Sequence, residues 1–324
     1  MPRVSALRAV CIFAFSVTAA MSGGCGEDPN AGPTGVVTED GLVPANGDVT
    51  SPASLRVPVL LFHGVCPATC RESDPYAIPQ LRFHEMMAVI DKLGFHTILS
   101  EEYSYFLLRQ PNHLPRKPIL ITFDDGRADA YENADPILER HGMRAVSFLI
   151  TADIVAKRGY YMSWDDVRAA TASGRWDFQL HAHAGHVTLP VGSPDASGSS
   201  PEGHAYAWRA WLSKEDRNET RGEWLARVRT DLDVGTSLLR LRVPGFVPRL
   251  FAVPFGDYGE YATNDGEIKN DMRYELDHRF VAWFTQEKKD PDFTVPFKRA
   301  EQHRFEVNSS ISTDMLETWL TSHE

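Results

Sequence analysis

An apolar run at residues 119–123 ends in two adjacent carboxylates, Asp124 and Asp125, followed by Gly126. About fifty residues later three histidines fall within six positions, at His181, His183 and His186. Successive side chains on a strand point to opposite sides, and a glycine beyond them permits a sharp turn, so the two aspartates can take separate tasks. One can ligate a divalent cation while the other stays free to accept a proton from a water that the cation acidifies to a pKa of about 7. One Asp and two His are three protein ligands, which leaves coordination positions for a water and a carbonyl oxygen, as in a catalytic rather than a structural centre. The chemistry expected is metal-assisted hydrolysis, with zinc the first choice and nickel, cobalt or iron also suited to this donor set. Taken singly, paired Asp residues after a strand are common turn and cap residues. It is the pairing with clustered histidines, each at a strand end, that favours the catalytic reading.

These groups need regular elements to position them, and strand and helix patterns alternate along the chain. Val59 to Phe62 reads as a buried strand, and Phe83, Met86, Met87, Ile90 and Leu93 recur at helical spacing before Gly94. A strand is expected at His96 to Leu99 and another at Ile119 to Phe123, with a helix from Ala128 to Arg140. A strand at Val146 to Ile150 precedes Ser163, which caps a helix from Trp164 to Ala172, and Phe178 to Leu180 leads into the histidines. Pro190 to Gly203 reads as loop and Glu215 to Leu241 as one long helix; strands at Leu250 to Val253 and Phe280 to Phe284 and a C-terminal helix capped by Ser312 or Thr313 complete the pattern. Alternating β and α segments predict parallel strands with helices outside. The aspartates, the histidines, Pro254-Phe255-Gly256 and His63 each follow a strand-like run directly, and in a β/α barrel those positions meet on one rim.

Thr122 to Gly126 (TFDDG) matches residue for residue the first motif of the polysaccharide deacetylases with a NodB-like domain, also called carbohydrate esterase family 4, and the resemblance runs over about residues 55–310. It implies an α/β fold, an irregular (β/α) barrel of about seven parallel strands in a single catalytic domain. It further implies that Asp124 is the general base and that Asp125, His181 and His186 hold the metal, His183 being a bystander or a support. The spacing of five between His181 and His186 resembles the branch that deacetylates poly-β-1,6-N-acetylglucosamine; Ala182 and Gly185 stand where that family usually has Ser or Thr and an apolar residue. Residues 57–64 resemble the opening strand, putting His63 near the substrate pocket. Phe251 to Gly256 resembles the third motif, with Pro254, Phe255 and Gly256 lining the groove and a backbone amide helping to hold an oxyanion. An arginine upstream of that motif orients the base in many members, but Arg249 is out of register for it. Residues 277–283 loosely resemble the fourth motif, and His303 is the candidate general acid.

With 324 residues, 43% of them hydrophobic, the chain can bury one substantial core. Its 33 basic and 44 acidic residues give a net charge of −11 with no basic stripe, which argues against a nucleic-acid partner and leaves a polysaccharide substrate unopposed. Arg3 and Arg8 precede an apolar run to Met21, so residues 1–24 read as a signal peptide; Ser22 to Cys25 resembles a lipoprotein cleavage box, with Cys25 lipidated as the only membrane attachment. Residues 25–54 read as a flexible linker and 55–324 as the deacetylase domain, giving an exported protein at the periplasmic or cell surface, anchored in the outer or cell membrane. Cys66 and Cys70 suit a small disulfide loop. Trp208 and Trp211 suit either a sugar-stacking platform or helix packing. The expected activity is metal-dependent N-deacetylation of an extracellular polysaccharide. The competing readings are the same chemistry on chitin oligomers, peptidoglycan or acetylated xylan, a glycan-binding surface lipoprotein without turnover, and a purely structural envelope lipoprotein. Release of acetate separates an enzyme from a binder.

Overall fold

The strongest apolar runs of the chain form one parallel sheet. The computed structural model describes residues 54–323 except 72, 111, 157–158, 287–289 and 297–299. The signal-like segment, Cys25 and the linker up to residue 53 lie outside the described residues. The sheet contains β1 (Val59–Phe62), β2 (His96–Thr97), β3 (Pro118–Phe123), β4 (Ala145–Ile150), β5 (Trp176–Ala182), β6 (Leu250–Ala252), β7 (Ala282–Thr285), β8 (Glu301–His303) and β9 (Phe305–Glu306). Its order is β8-β7-β6-β5-β4-β3-β1-β9, with β2 also paired to β3, and every pair is parallel. Only Arg304 separates β8 from β9, so the two ends of the sheet are one short run and the barrel is nearly closed. Counting that run once, the eight strands of the path make seven staves, as the resemblance implied.

Strands buried on both faces need apolar side chains on both, which is why these runs lack a polar alternation. The inward set, including Val59, Leu120, Val146, Phe148, Leu250, Ala282 and Phe284, fills the barrel. The outward set, including Phe62, Ile121, Phe123, Phe178, Phe251 and Trp283, packs under the helices. Those helices are α1 (Gln80–Lys92), α2 (Ser100–Leu107), α3 (Ala128–Arg140), α4 (Asp153–Ala156), α5 (Trp164–Ala172), α6 (Arg221–Arg242), α7 (Ile268–Asp277) and α8 (Thr313–Ser322). Among the described residues, no helix is long and apolar enough to cross a membrane.

Three boundaries differ from the sequence expectation, each for a local reason. The long helix starts at Arg221 rather than Glu215, because Thr220 and Glu223 cap each other and residues 217–218 are already paired with 211–212 in a short antiparallel ladder. Residues 190–203 are not loop throughout: Thr188–Pro190 pairs antiparallel with Glu202–His204. The expected strand at His96 to Leu99 stops at Thr97, since Leu99 opens α2 and its amide donates to Glu102 at 2.7 Å. Ser163 and Ser312 cap α5 and α8. Cys66 and Cys70 are joined in a disulfide beyond β1.

Candidate active site

β3 carries Asp124 and Asp125 to the C-terminal rim of the barrel. The Asp124 amide still donates to the Phe62 carbonyl at 2.9 Å, so strand pairing continues to this residue and its side chain turns inward. Asp125 and Gly126 then both adopt φ of +72°, and a Cβ on Gly126 would lie 2.6 Å from a Leu149 methyl. A non-glycine residue in the left-handed region is uncommon and costs conformational energy, a kind of strain that collects at functional positions. Its effect is to swing the Asp125 carboxylate over His181 of β5 and His186 in the loop beyond that strand. Asp125 Oδ1 lies 3.5 Å from His181 Nε2 and 3.7 Å from His186 Nε2, and the three side chains each offer a ligand atom within 4.8 Å of the others.

The protonation states of Asp125 and His186 suit cation binding. His181 Nδ1 lies 2.7 Å from the Ala252 carbonyl, which fixes that nitrogen as the donor and turns Nε2 toward Asp125. Burial alone would raise the Asp125 pKa, but the hydrogen bond from His181 and the charges of His63, His181 and His186 hold it far below the usual carboxylate range. His186 is pushed down to about 4 by burial and by the His181 charge, so it is a neutral lone-pair donor at pH 7. Burial lowers His181, yet Asp124 and Asp125 outweigh it and raise its pKa. An ionised carboxylate and two imidazole nitrogens converging in this way fit a divalent first-row cation.

Asp124 is held by a different kind of partner. Arg304, fully buried at the β8–β9 seam, grips both of its oxygens, at 2.6 and 2.7 Å, and also reaches the Thr122 hydroxyl at 3.3 Å. The guanidinium carbon sits 5.5 Å from the Phe148 ring centroid and 5.2 Å from that of Phe284. Burial would raise the Asp124 pKa; the charges of Arg304 and His181 and the Arg304 hydrogen bonds overcome it and hold the group ionised. A carboxylate has about four lone-pair positions and Arg304 takes two, so Asp124 keeps room to accept a proton.

His63, one residue past β1, is 9% exposed, and its Nδ1 is buried with no hydrogen-bond partner among the described residues. Its charge acts on both Asp124 and Asp125, and its ring centroid lies 5.0 Å from that of Tyr76. Pro254 and Gly256 are buried in a short 3₁₀ turn, and Phe255 between them has φ of +58°. That strained turn inserts the Phe255 ring between two imidazoles, with centroids 4.2 Å from His186 and 4.2 Å from His204. His204 is anchored in turn by the buried Asp257, 2.7 Å from its Nδ1.

Other sequence candidates fall elsewhere. His303 bonds through Nδ1 to the Thr285 hydroxyl at 3.0 Å. It pairs in register with Thr285, one residue past the inward Phe284, so it lies on the outward side of the sheet while its neighbour Arg304 turns in. The role of general acid expected for it therefore does not follow from its position. His183 bonds to Thr151 Oγ1 at 2.9 Å, outside the three-ligand cluster. Arg249 pairs with Glu101 at 2.6 Å. Asp277 accepts the Trp283 indole N–H at 2.8 Å, under the helices. The Trp208 ring covers Gly203, whose added Cβ would lie 2.4 Å from it, so Trp208 packs the hairpin. Sequence reasoning missed Arg304 and His204. The only signal for the first was a lone arginine between two short strand-like fragments; the second carried none.

The sequence and the barrel are similar to those of known proteins. Residues 112–272 match the family model for polysaccharide deacetylase, a span holding both aspartates, His181, His186 and the Pro254–Gly256 turn but neither His63 nor Arg304. A poly-β-1,6-N-acetyl-D-glucosamine N-deacetylase of Escherichia coli is 28% identical over 178 residues, 51% of this chain and 26% of the relative. One from Staphylococcus aureus is 25% identical over 170 residues, 47% of this chain and 58% of the relative. The chain thus covers well under two thirds of the length of either. A solved de-N-acetylase structure from Aggregatibacter actinomycetemcomitans superposes with a TM-score of 0.65 at 19% identity, covering 82% of this chain and 99% of that one, a likeness of fold. Motif, barrel and family model converge on one assignment: this chain carries a polysaccharide deacetylase domain.

Proposed function

We propose that this chain is a metal-dependent N-deacetylase that removes acetyl groups from N-acetylglucosamine units of an extracellular polysaccharide, with poly-β-1,6-N-acetylglucosamine the favoured polymer. The observation that carries the reading is the division of labour between neighbours: Asp125 converges with His181 and His186, while Asp124 is held ionised by Arg304. Asp125, His181 and His186 would hold the divalent cation, zinc first, which when bound polarises the acyl carbonyl and acidifies a water. Asp124 takes the proton from the attacking water on a lone pair that Arg304 leaves open. Arg304 fixes the orientation of that carboxylate and cannot itself give up a proton at neutral pH. His63, beside both aspartates with Nδ1 unpartnered, donates a proton to the leaving nitrogen as the C–N bond breaks, in place of His303. The products are acetate and a glucosamine unit. The Phe255 ring, 36% exposed at the rim, offers an apolar face to a pyranose ring.

Preference for the β-1,6 polymer is supported by the spacing of His181 and His186 and by the names of the two relatives. The test is acetate release by residues 54–324 on β-1,6- and β-1,4-linked N-acetylglucosamine oligomers, with and without added zinc. Zinc-dependent release that favours the β-1,6 oligomers is expected. Release from neither, with zinc bound, would refute the reading.

A further inference from the structure

The segment between His181 and His186 leaves strand β5 after Ala182, where the β4 end still binds the Ala182 and His183 carbonyls, and its His183 and Ala184 amides then need partners from elsewhere. Asp231, midway along the long helix α6, supplies them. One carboxylate oxygen accepts the His183 amide at 2.8 Å and the other accepts the Ala184 amide at 2.7 Å. Two consecutive loop amides are thus bound by a single acid. The first oxygen also accepts the Tyr206 hydroxyl at 2.6 Å. Tyr206 is 1% exposed, and its ring lies against Gly185 so tightly that a Cβ there would be 2.3 Å from it. One helical turn beyond Asp231, Gly235 lets α6 approach the strand: a Cβ would be 2.6 Å from a Leu180 methyl and 3.3 Å from the His183 amide nitrogen.

We infer that Asp231 and Tyr206 are positioning residues that fix the backbone between the two histidine ligands, and so set the separation of His181 and His186 on which cation affinity depends. Asp231 reaches in from the long helix and Tyr206 from the 187–219 segment, so the ligand loop is gripped from two sides. Gly185 is required because the Tyr206 ring occupies the space of its side chain, and Gly235 because the helix must come close enough for Asp231 to reach the amides. Carboxylate bonds to backbone N–H groups are of the stronger, charge-assisted kind. Partners of this sort outside the ligand shell typically change metal affinity about 10- to 100-fold when removed. The inference rests on the metal reading of Asp125, His181 and His186.

Cobalt(II) titration of the metal-free chain, followed by its visible absorption, tests it together with amide hydrogen exchange on the same metal-free protein. Asp231→Asn keeps the size of the side chain but can no longer accept from both amides. It is expected to weaken cobalt affinity about 10- to 100-fold, alter the absorption band, and raise exchange at His183 and Ala184 with helix α6 still protected. Tyr206→Phe, which retains the ring over Gly185 and loses one bond, should fall between it and the parent chain. Parent-like affinity and absorption in Asp231→Asn would overturn the inference. If the parent chain itself bound no cobalt the metal reading would fail, while exchange at the two amides would still report whether Asp231 holds the loop; parent-like protection there in Asp231→Asn would overturn that too.

Discussion

Asp124 and Asp125 share a peptide bond and have opposite surroundings. Asp124 is 1% exposed, bound through both oxygens to a guanidinium that rests between Phe148 and Phe284. Asp125, on a left-handed backbone, has a side chain 18% exposed and faces imidazoles. Both pKa values are held down. The agent differs, and that difference decides what each carboxylate can do. A guanidinium is a permanent counter-charge with no lone pair, so it holds Asp124 in one state and one orientation. Imidazoles can be neutral and carry a lone pair, so those around Asp125 can join it in binding a cation.

The comparison can be broken most severely from the Arg304 side. Arg304→Met leaves a buried carboxylate without its partner, at an expected cost of about 3–5 kcal/mol in urea unfolding. The double variant with Asp124→Asn should recover much of that loss; a double variant no more stable than Arg304→Met would show that the pair is not coupled. Next in size, Asp124→Asn alone should lower acetate release about 10²- to 10⁴-fold while zinc content by mass spectrometry stays at the parent level. Near-parent turnover with full zinc would remove Asp124 as the base. His63→Ala should reduce turnover about 10²-fold, with the acidic partner of the pH profile lost, whereas His303→Ala should leave that profile unchanged.

Acid titration sharpens the contrast without mutation. Each aspartate is shifted below its ordinary value of 3.8, so its stabilisation is fully present above that pH and is lost as pH falls through the folded value. His181 is raised from 6.5 and contributes in the opposite sense: its stabilisation is present below 6.5 and lost as pH rises through the folded value. Urea midpoints of the metal-free protein should therefore decline on both flanks, and Asp125→Asn should flatten both. An unchanged profile in that variant would exclude the ion-pair account of the cluster. The smallest effect is expected at the rim: Phe255→Ala removes a stacked ring contact of about 0.5–1.5 kcal/mol and should raise KM about 2- to 10-fold with kcat little changed.

The catalytic half legible in the sequence was the half written in local spacing. Asp124-Asp125 and His181 to His186 each lie within a few residues at the end of an apolar strand, and those strands are long enough to read by pattern. Arg304 could not be found that way, because its partnership with Asp124 spans 180 residues and exists only where β8 and β9 close the sheet. His204 and Tyr206 belong to a segment whose strands are two or three residues long, too short for any periodicity to register. Helix α6 is legible in the spacing of Trp224, Val228, Leu232 and Leu239, all fully buried, while its start differs from Glu215 because the cap at Thr220 outranks the polar residues before it. Asp231 was overlooked because a helix acid carries no sign of what it will reach.

Arg304 also gives the site a timetable. Ribosomes deliver a chain from its amino end, and Asp124 is made long before the arginine that neutralises it. Until residues 301–306 dock between β7 and β1, the first strands cannot bury that acid without exposing it to an uncompensated desolvation cost. The catalytic rim is therefore completed only by a stretch made 180 residues after Asp124, and proteolytic loss of that stretch should extinguish turnover even where most of the barrel survives.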